Sequence, residues 1–352
     1  MFGESGLFLS PKSSKFVKRF VLQATKSDSV FMDFFGGSGS SAHALIQANR
    51  EDGGVRKFVT IEMGAYFDSL TAPRIKKSFY ASEWSKGEPK VFDGKSAALK
   101  IIRVESYEDA LGNLEVHRSK GQQKLLGAHD GAQSDAAVQS YVMNYMLEVE
   151  TRGSASLLNT QLFTDPTAYQ LNVRSASGDE TKAVNVDLLE TFNYLLGLEV
   201  EHIAAPIWFD AQIAQGEFGR WQAQVKRVAT DDLKALSDEQ RARLWWFRTV
   251  YGTNRAGQKV LVVWRNLPSV IAKDEKGLLK DNAVLDAVLI EKLNIRLTSS
   301  HNDEVDVLYV NGDHNIAIPK SRSGELMEGA RVQLIEEAFH RLMFANTESQ
   351  AL

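Results

Sequence analysis

Residues 31–62 constrain this chain more than any other stretch. They read as strand, glycine turn, helix, loop, second strand and terminal acid. Val30 to Phe35 is a short, largely apolar run with one acid, Asp33. A buried parallel strand reads this way. Gly36, Gly37 and Gly39 then remove side chains where the chain must turn sharply and where a ligand can approach the backbone. Ser40 is placed to cap the helix that follows, whose Ala42, Ala44, Leu45, Ile46 and Ala48 give it an apolar side. Glu51-Asp-Gly-Gly54 ends that helix, and Lys57 to Ile61 reads as the next strand. Glu62 follows at that strand's carboxyl end, where α/β sheets bind ligands.

An acid there can accept hydrogen bonds from both hydroxyls of a ribose. The expectation is therefore an adenosine-bearing cofactor, set against a purely structural βαβ unit with a glycine turn. Two cofactors compete. Gly37-Ser-Gly39-Ser-Ser-Ala42 fits the dinucleotide pattern G-x-G-x-x-[G/A], with Glu62 about twenty residues further on. Phe35-Gly-Gly37-Ser-Gly39, preceded by Asp33, fits F-x-G-x-G. This second pattern resembles the S-adenosylmethionine motif of DNA amino-methyltransferases, the N6-adenine and N4-cytosine enzymes. An aromatic beside the turn can pack on such a cofactor, whereas a pyrophosphate needs only backbone N–H groups and a helix dipole.

The resemblance extends along the chain. Leu7 to Val21 resembles the family's methionine-side motif, a short F-x-x-P-K stretch before an amphipathic helix; Pro11 and Lys12 match, and Ser13 replaces the usual second proline. Arg74 to Tyr80 with Trp84 and Gly87, Glu105 to Leu111, Tyr145 to Glu148, Leu188 to Gly197, Val260 to Arg265 and Leu308 to Asp313 resemble, in order, segments of the modification subunits of type III restriction systems. Gly36 stands for the more usual alanine, and Ser40-Ser41 for a threonine pair. The resemblance implies an adenine-N6 DNA methyltransferase. Its implied fold is α/β, a partial Rossmann-like S-adenosylmethionine-binding sheet with a second α/β accessory domain. Phe35, Gly37 and Gly39 would contact the cofactor, Glu62 its ribose, Pro11 and Lys12 its methionine end, and Asp33 the turn or the cofactor's amine.

The family's catalytic motif, Asp/Asn/Ser-Pro-Pro-aromatic, holds the target amine and stacks on the flipped base. This chain has no Pro-Pro dipeptide, and Thr164-Asp-Pro-Thr-Ala-Tyr169 reads as a turn. No catalytic residue is assigned. The expectation is a carboxyl-terminal half of such an enzyme, inactive alone, with DNA, an amino-terminal methyltransferase half, a restriction subunit or a second copy as partners. The alternatives are a non-catalytic assembly module of a restriction-modification complex and a nicotinamide-dependent oxidoreductase.

Composition sets bounds. A chain of 352 residues suggests two or three domains, and 43% hydrophobic with 24% charged residues is globular. No 18-residue apolar run points to a membrane span, the start lacks a signal-peptide pattern, and a cytoplasmic location is expected. The absence of cysteine excludes disulfides, thiol catalysis and cysteine-bound metal. Net charge −4 hides an asymmetry: residues 1–100 carry 15 Lys+Arg against 10 Asp+Glu, the remainder 26 against 35. The basic part suits a nucleic-acid groove or a solvated helix face. The seven histidines form no metal pattern. His43 reads as packing or solvent-facing, and Trp245-Trp246-Phe247 as core or a domain seam.

The expected organisation is a cofactor part at 1–90, a connecting segment at 91–135 and an α/β accessory domain at 136–352. Strands are expected at 98–105, 168–173, 200–204, 222–228, 258–264, 305–310 and 315–318. Helices are expected at 136–150, 186–196, 231–236, 281–293 and 329–343, with a loop at 121–135.

Overall fold

The computed structural model describes residues 1–2, 8–104, 109, 113, 160, 163–174, 181–293, 305–316 and 331–344. The chain divides into two compact units: Met1–Val104 with Arg174–Glu180, and Glu105–Val173 with Thr181–Leu352. The first runs on to Val104, past the expected boundary at residue 90. The segments expected as a helix at 136–150 and a loop at 121–135 lie outside the described residues.

In the first unit the order is α1 (Ser14–Ala24), β1 (Val30–Asp33), α2 (Ser40–Asp52), β2 (Lys57–Thr60), a π-turn at Phe67–Thr71 and α3 (Ala72–Tyr80). A short hairpin of β3 (Trp84–Ser85) and β4 (Glu88–Pro89) follows. β1 and β2 pair in parallel, Phe31 opposite Phe58 and Met32 opposite Val59. Phe31 and Phe58 turn inward onto Val21, Leu45 and Ala48; Phe58 also meets Ala42, Ile46 and Ile75. α2 ends at Gly53, which adopts the left-handed conformation that releases a helix. Arg56, buried, then fastens the α2–β2 loop through paired bonds to Asp52 and one to Thr25. Residues 98–104, expected to form a strand, have no regular structure, and 105 lies outside the described residues. No strand among the described residues pairs with them.

The second unit is built on a mixed sheet of seven strands. β5 (Gln170–Arg174) and β6 (Thr181–Asn185) form a separate pair, and α4 (Leu188–Leu196) follows. The main sheet takes β7 (Glu199–Ile203), β8 (Ile207–Gln215), β9 (Trp221–Val228), β10 (Trp245–Thr253), β11 (Lys259–Arg265), β12 (Val307–Val310) and β13 (Arg331–Leu334). β11, β12 and β13 are mutually parallel; the other pairings are antiparallel. Short helices α5 (Thr230–Ala235), α6 (Asp238–Arg241) and α7 (Ser269–Ala272) decorate the loops. α8 (Gly277–Ala287) runs into a π-turn at Val288–Lys292, and α9 (Ile335–Phe344) closes the described chain.

Alternate residues of this sheet feed two cores. Trp246, Val250, Val260, Val262, Trp264, Val307 and Tyr309 pack with Phe192 of α4 and Phe339 of α9. Trp245, Phe247, Leu261, Val263, Leu308 and Val310 pack with Val284 and Leu285 of α8. Covering both faces explains why these strands read as unbroken apolar runs. The expected strand at 315–318 is not found at 315–316, and 317–318 lie outside the described residues. The helix expected at 329–343 is instead strand β13 followed directly by α9. β8 and β10 were not among the expected strands. Trp245-Trp246-Phe247 is core, split between the two faces of β10.

A candidate cofactor site at the carboxyl ends of two parallel strands

The site forms where β1 and β2 end. The parallel pairing continues past the strands: Ile61 N–H donates to the Asp33 carbonyl at 2.8 Å, and Gly36 N–H to the Ile61 carbonyl at 2.9 Å. This carries Glu62 to the level of the glycine turn. Gly37 and Gly39 have φ of +52° and +79°, backbone that an L side chain resists. Gly39, not Ser40, occupies the cap position of α2. Ser40 is already helical, so its hydroxyl turns sideways and donates to the Lys12 carbonyl at 2.9 Å.

Glu62 accepts the Gly37 N–H on one carboxylate oxygen and the Gly64 N–H on the other, each at 2.6 Å. Burial alone would raise its pKa. The bonds from Gly64 and Gly37, with one from the Tyr66 hydroxyl, outweigh that and hold the carboxyl below the usual range. Glu62 is thus a fixed anion beside a glycine backbone. Asp33, at the tip of β1, accepts the Phe35 N–H at 3.0 Å and the Ser41 hydroxyl, so it braces the turn against α2. Phe35 is 91% exposed, a large apolar face held in water beside the turn. Pro11 and Lys12 are exposed just before α1, and Lys12 meets the turn through its backbone alone.

Four residues were not among those picked from the sequence. Thr71 donates its hydroxyl to the Gly37 carbonyl at 2.6 Å. Arg74, from α3, donates to the Ser38 hydroxyl at 2.8 Å and the Ser40 hydroxyl at 3.0 Å. Phe8 and Tyr66 pack edge to face, ring centroids 5.1 Å apart, beside Gly37. Phe8 is the phenylalanine of the F-x-x-P-K stretch, and Arg74 opens the segment Arg74 to Tyr80 that carries part of the resemblance; Thr71 and Tyr66 had no signal at short range. The arrangement fits an adenosine-bearing ligand by its donor set: a bound carboxylate, a turn without side chains and adjacent aromatic rings. Among the described residues no group of His, Cys, Asp or Glu is placed to hold a metal ion.

Comparison with known proteins bears on this chain over a short segment. It is 42% identical over 59 residues to the type III restriction-modification enzyme StyLTI Mod subunit of Salmonella typhimurium, covering 17% of this chain and 9% of that protein. It is 41% identical over 56 residues to the EcoPI Mod subunit of Escherichia phage P1, covering 16% and 9%. It is 39% identical over 58 residues to the type II methyltransferase M.KpnI of Klebsiella pneumoniae, covering 16% and 14%. This segment is related to restriction-modification methyltransferases. The chain spans 9% to 14% of the length of these curated relatives. No family model matches it, and no solved structure does.

Proposed function

We propose that this chain is the S-adenosylmethionine-binding portion of an adenine-N6 DNA methyltransferase similar to type III modification subunits. The observation that carries the reading is the clasp between Glu62 and the Gly37 N–H, 2.6 Å across the ends of two parallel strands. It sets a carboxylate for ribose hydroxyls beside a backbone free of side chains. The segmental likeness to two Mod subunits and a type II methyltransferase supports methyl transfer over hydride transfer. S-adenosylmethionine, when bound, supplies a methyl group on a sulfonium for direct displacement by an amine. The protein's part is to position two reactants, which is where most of the acceleration of such a step arises. Glu62 would hold the ribose, Gly37 and Gly39 would admit the ligand to the backbone, and Phe35 would cover its apolar surface. Pro11 and Lys12 would flank its methionine end.

The amine-holding Pro-Pro-aromatic motif is not in this sequence, so that role falls to other polypeptide. The sheet of the first unit supports this. Val30, Met32, Val59 and Ile61 lie exposed on the face opposite its helices, Val30 at 65% and Met32 at 50%. Parallel sheets are otherwise covered on both faces. The partners we propose are therefore DNA and a methyltransferase half carrying the missing motif. In a second reading, favoured by that same missing motif, the chain is a non-catalytic module that meets a restriction subunit or a second copy. Co-purification with a nuclease subunit, without cofactor binding, would support it.

Calorimetric titration with S-adenosylmethionine, with NAD in parallel and Glu62→Ala as control, tests the proposal. Saturable binding of S-adenosylmethionine, lost in the variant, is the expected result. Binding of NAD alone would replace the methyltransferase reading with the oxidoreductase one.

A further inference from the structure

Helix α1 has two faces of different character. Val17 and Val21 turn inward and pack with Leu45 and Ala48 of α2 and with Phe31 of β1. Lys15, Phe16, Arg19 and Phe20 are exposed on the other side, at the spacings of three and four that put helical residues in one stripe. Phe16 is 58% exposed and Phe20 55%. Their rings pack edge to face on one another, centroids 5.0 Å apart. α1 contains no acidic residue. Lys18, at the flank, is paired with Glu51, but Lys15 and Arg19 have no ion-pair or hydrogen-bond partner among the described residues.

The charge and shape of this stripe narrow what can cover it. A second copy laid face to face would bring Lys15 and Arg19 against their own equivalents, and like charges across an interface repel. Successive bases of a single strand stack flat on aromatic faces, whereas these two rings stand at 75° to each other. Duplex DNA would meet the two cations through its phosphates and leave both rings in water. A partner helix satisfies both rows at once. Phe16 and Phe20 lie one turn apart as an apolar seam, and Lys15 and Arg19 run beside it with the same spacing. Helices pair through such a seam flanked by opposite charges.

We propose that the outer face of α1 is a docking surface for an acidic amphipathic helix of a partner protein. Leucine-like side chains of that helix would cover Phe16 and Phe20, and its carboxylates would meet Lys15 and Arg19. The proposal does not rest on the reading of Glu62.

The test is fluorescence anisotropy of three labelled probes titrated with the full chain at low and high salt. The first probe is a designed helical peptide with leucines at i, i+3, i+4 and i+7 and glutamates beside them. The second has the same composition permuted so that no apolar row forms. The third is an oligothymidylate. The amphipathic peptide is expected to bind about tenfold or more tighter than either of the others. Phe16→Ser with Phe20→Ser should remove that advantage, the loss expected on truncating aromatic anchors. Arg19→Glu should weaken binding mainly at low salt. The thermal midpoint of the double variant should match wild type, because the rings are exposed. Equal binding of both peptides, tighter binding of the oligothymidylate, no binding, or binding unchanged in the double variant each overturns the proposal. So does a large fall in the midpoint of the double variant, which would mean that the rings are covered within the chain.

Discussion

Single side chains set the tolerance of the glycine turn. Gly36 has a neighbour across the sheet that leaves no room for a side chain. A Cβ there would overlap the Thr60 methyl group, and Gly36 itself is buried. Gly36→Ala should therefore cost about 1–3 kcal/mol, the usual penalty for overpacking. Thr60→Ser removes the obstructing methyl, so the double variant should recover most of the loss in urea denaturation. Equal midpoints for the single and double variants would refute the clash. His43, on α2, is a second case. Burial first, then the nearby Arg74 and Arg50, lower its pKa to about 4, and its Nδ1 is buried without a partner. The folded state thus binds fewer protons than the unfolded one between pH 6.5 and about 4. Stability from this group is present above pH 6.5 and is lost as pH falls through that window, on the order of 3 kcal/mol in all. His43→Gln should flatten the difference in melting temperature between pH 7 and pH 4.5.

At the scale of elements, β11, β10 and α8 are joined by a buried ion pair. Arg265 Nε and Nη2 meet Asp281 Oδ2 at 3.0 and 2.8 Å, and Trp245 Nε1 donates to Asp281 Oδ1 at 2.8 Å. The guanidinium also donates to the carbonyls of Asn311 and Asp313 beyond β12. Asp281→Ala would leave a buried cation and an indole N–H without their acceptor. The expected loss is about 3–5 kcal/mol by chemical denaturation, since breaking a buried pair costs far more than the pair contributes. The β1–β2 sheet gives the opposite expectation. Met32→Lys and Val59→Lys face away from the helices and should leave the thermal midpoint nearly unchanged. Phe58→Lys, on the covered face, should unfold the unit. A large loss for Val59→Lys would mean that its face is already covered within the chain. Strand order was partly legible at this scale. β11 and β12 stood out by short apolar runs, and β9 by apolar residues that alternate with polar ones. β10 did not, because its aromatic residues serve both faces and leave no period of two. β13 did not, because Val332 and Leu334 run straight into the apolar stripe of α9 and share its helical spacing.

For the whole molecule the charge asymmetry carries the prediction. The first hundred residues hold the excess of Lys and Arg, and Lys15 and Lys76 are exposed there. If the proposed DNA partner is correct, fluorescence anisotropy should show duplex affinity falling steeply with salt. Lys15→Glu with Lys76→Glu should weaken it and reduce the salt slope, while Lys226→Glu in the second unit should not. A flat salt response would count against a nucleic-acid face. No helix among the described residues is long and apolar enough to cross a membrane. What the sequence determined by itself was local: the strand, turn, helix and strand of residues 30–60, the left-handed glycines, and an acid placed just beyond the second strand. Those follow from neighbours a few residues apart, where sterics and hydrogen-bonding reach are short. Tertiary structure alone decided that Glu62 closes on the Gly37 N–H, that Arg74 and Thr71 brace the same turn, and that Tyr66 and Phe8 meet beside it. These contacts join segments far apart in the chain, and only the parallel pairing of β1 with β2 and the packing of α3 on α2 bring their atoms within bonding distance.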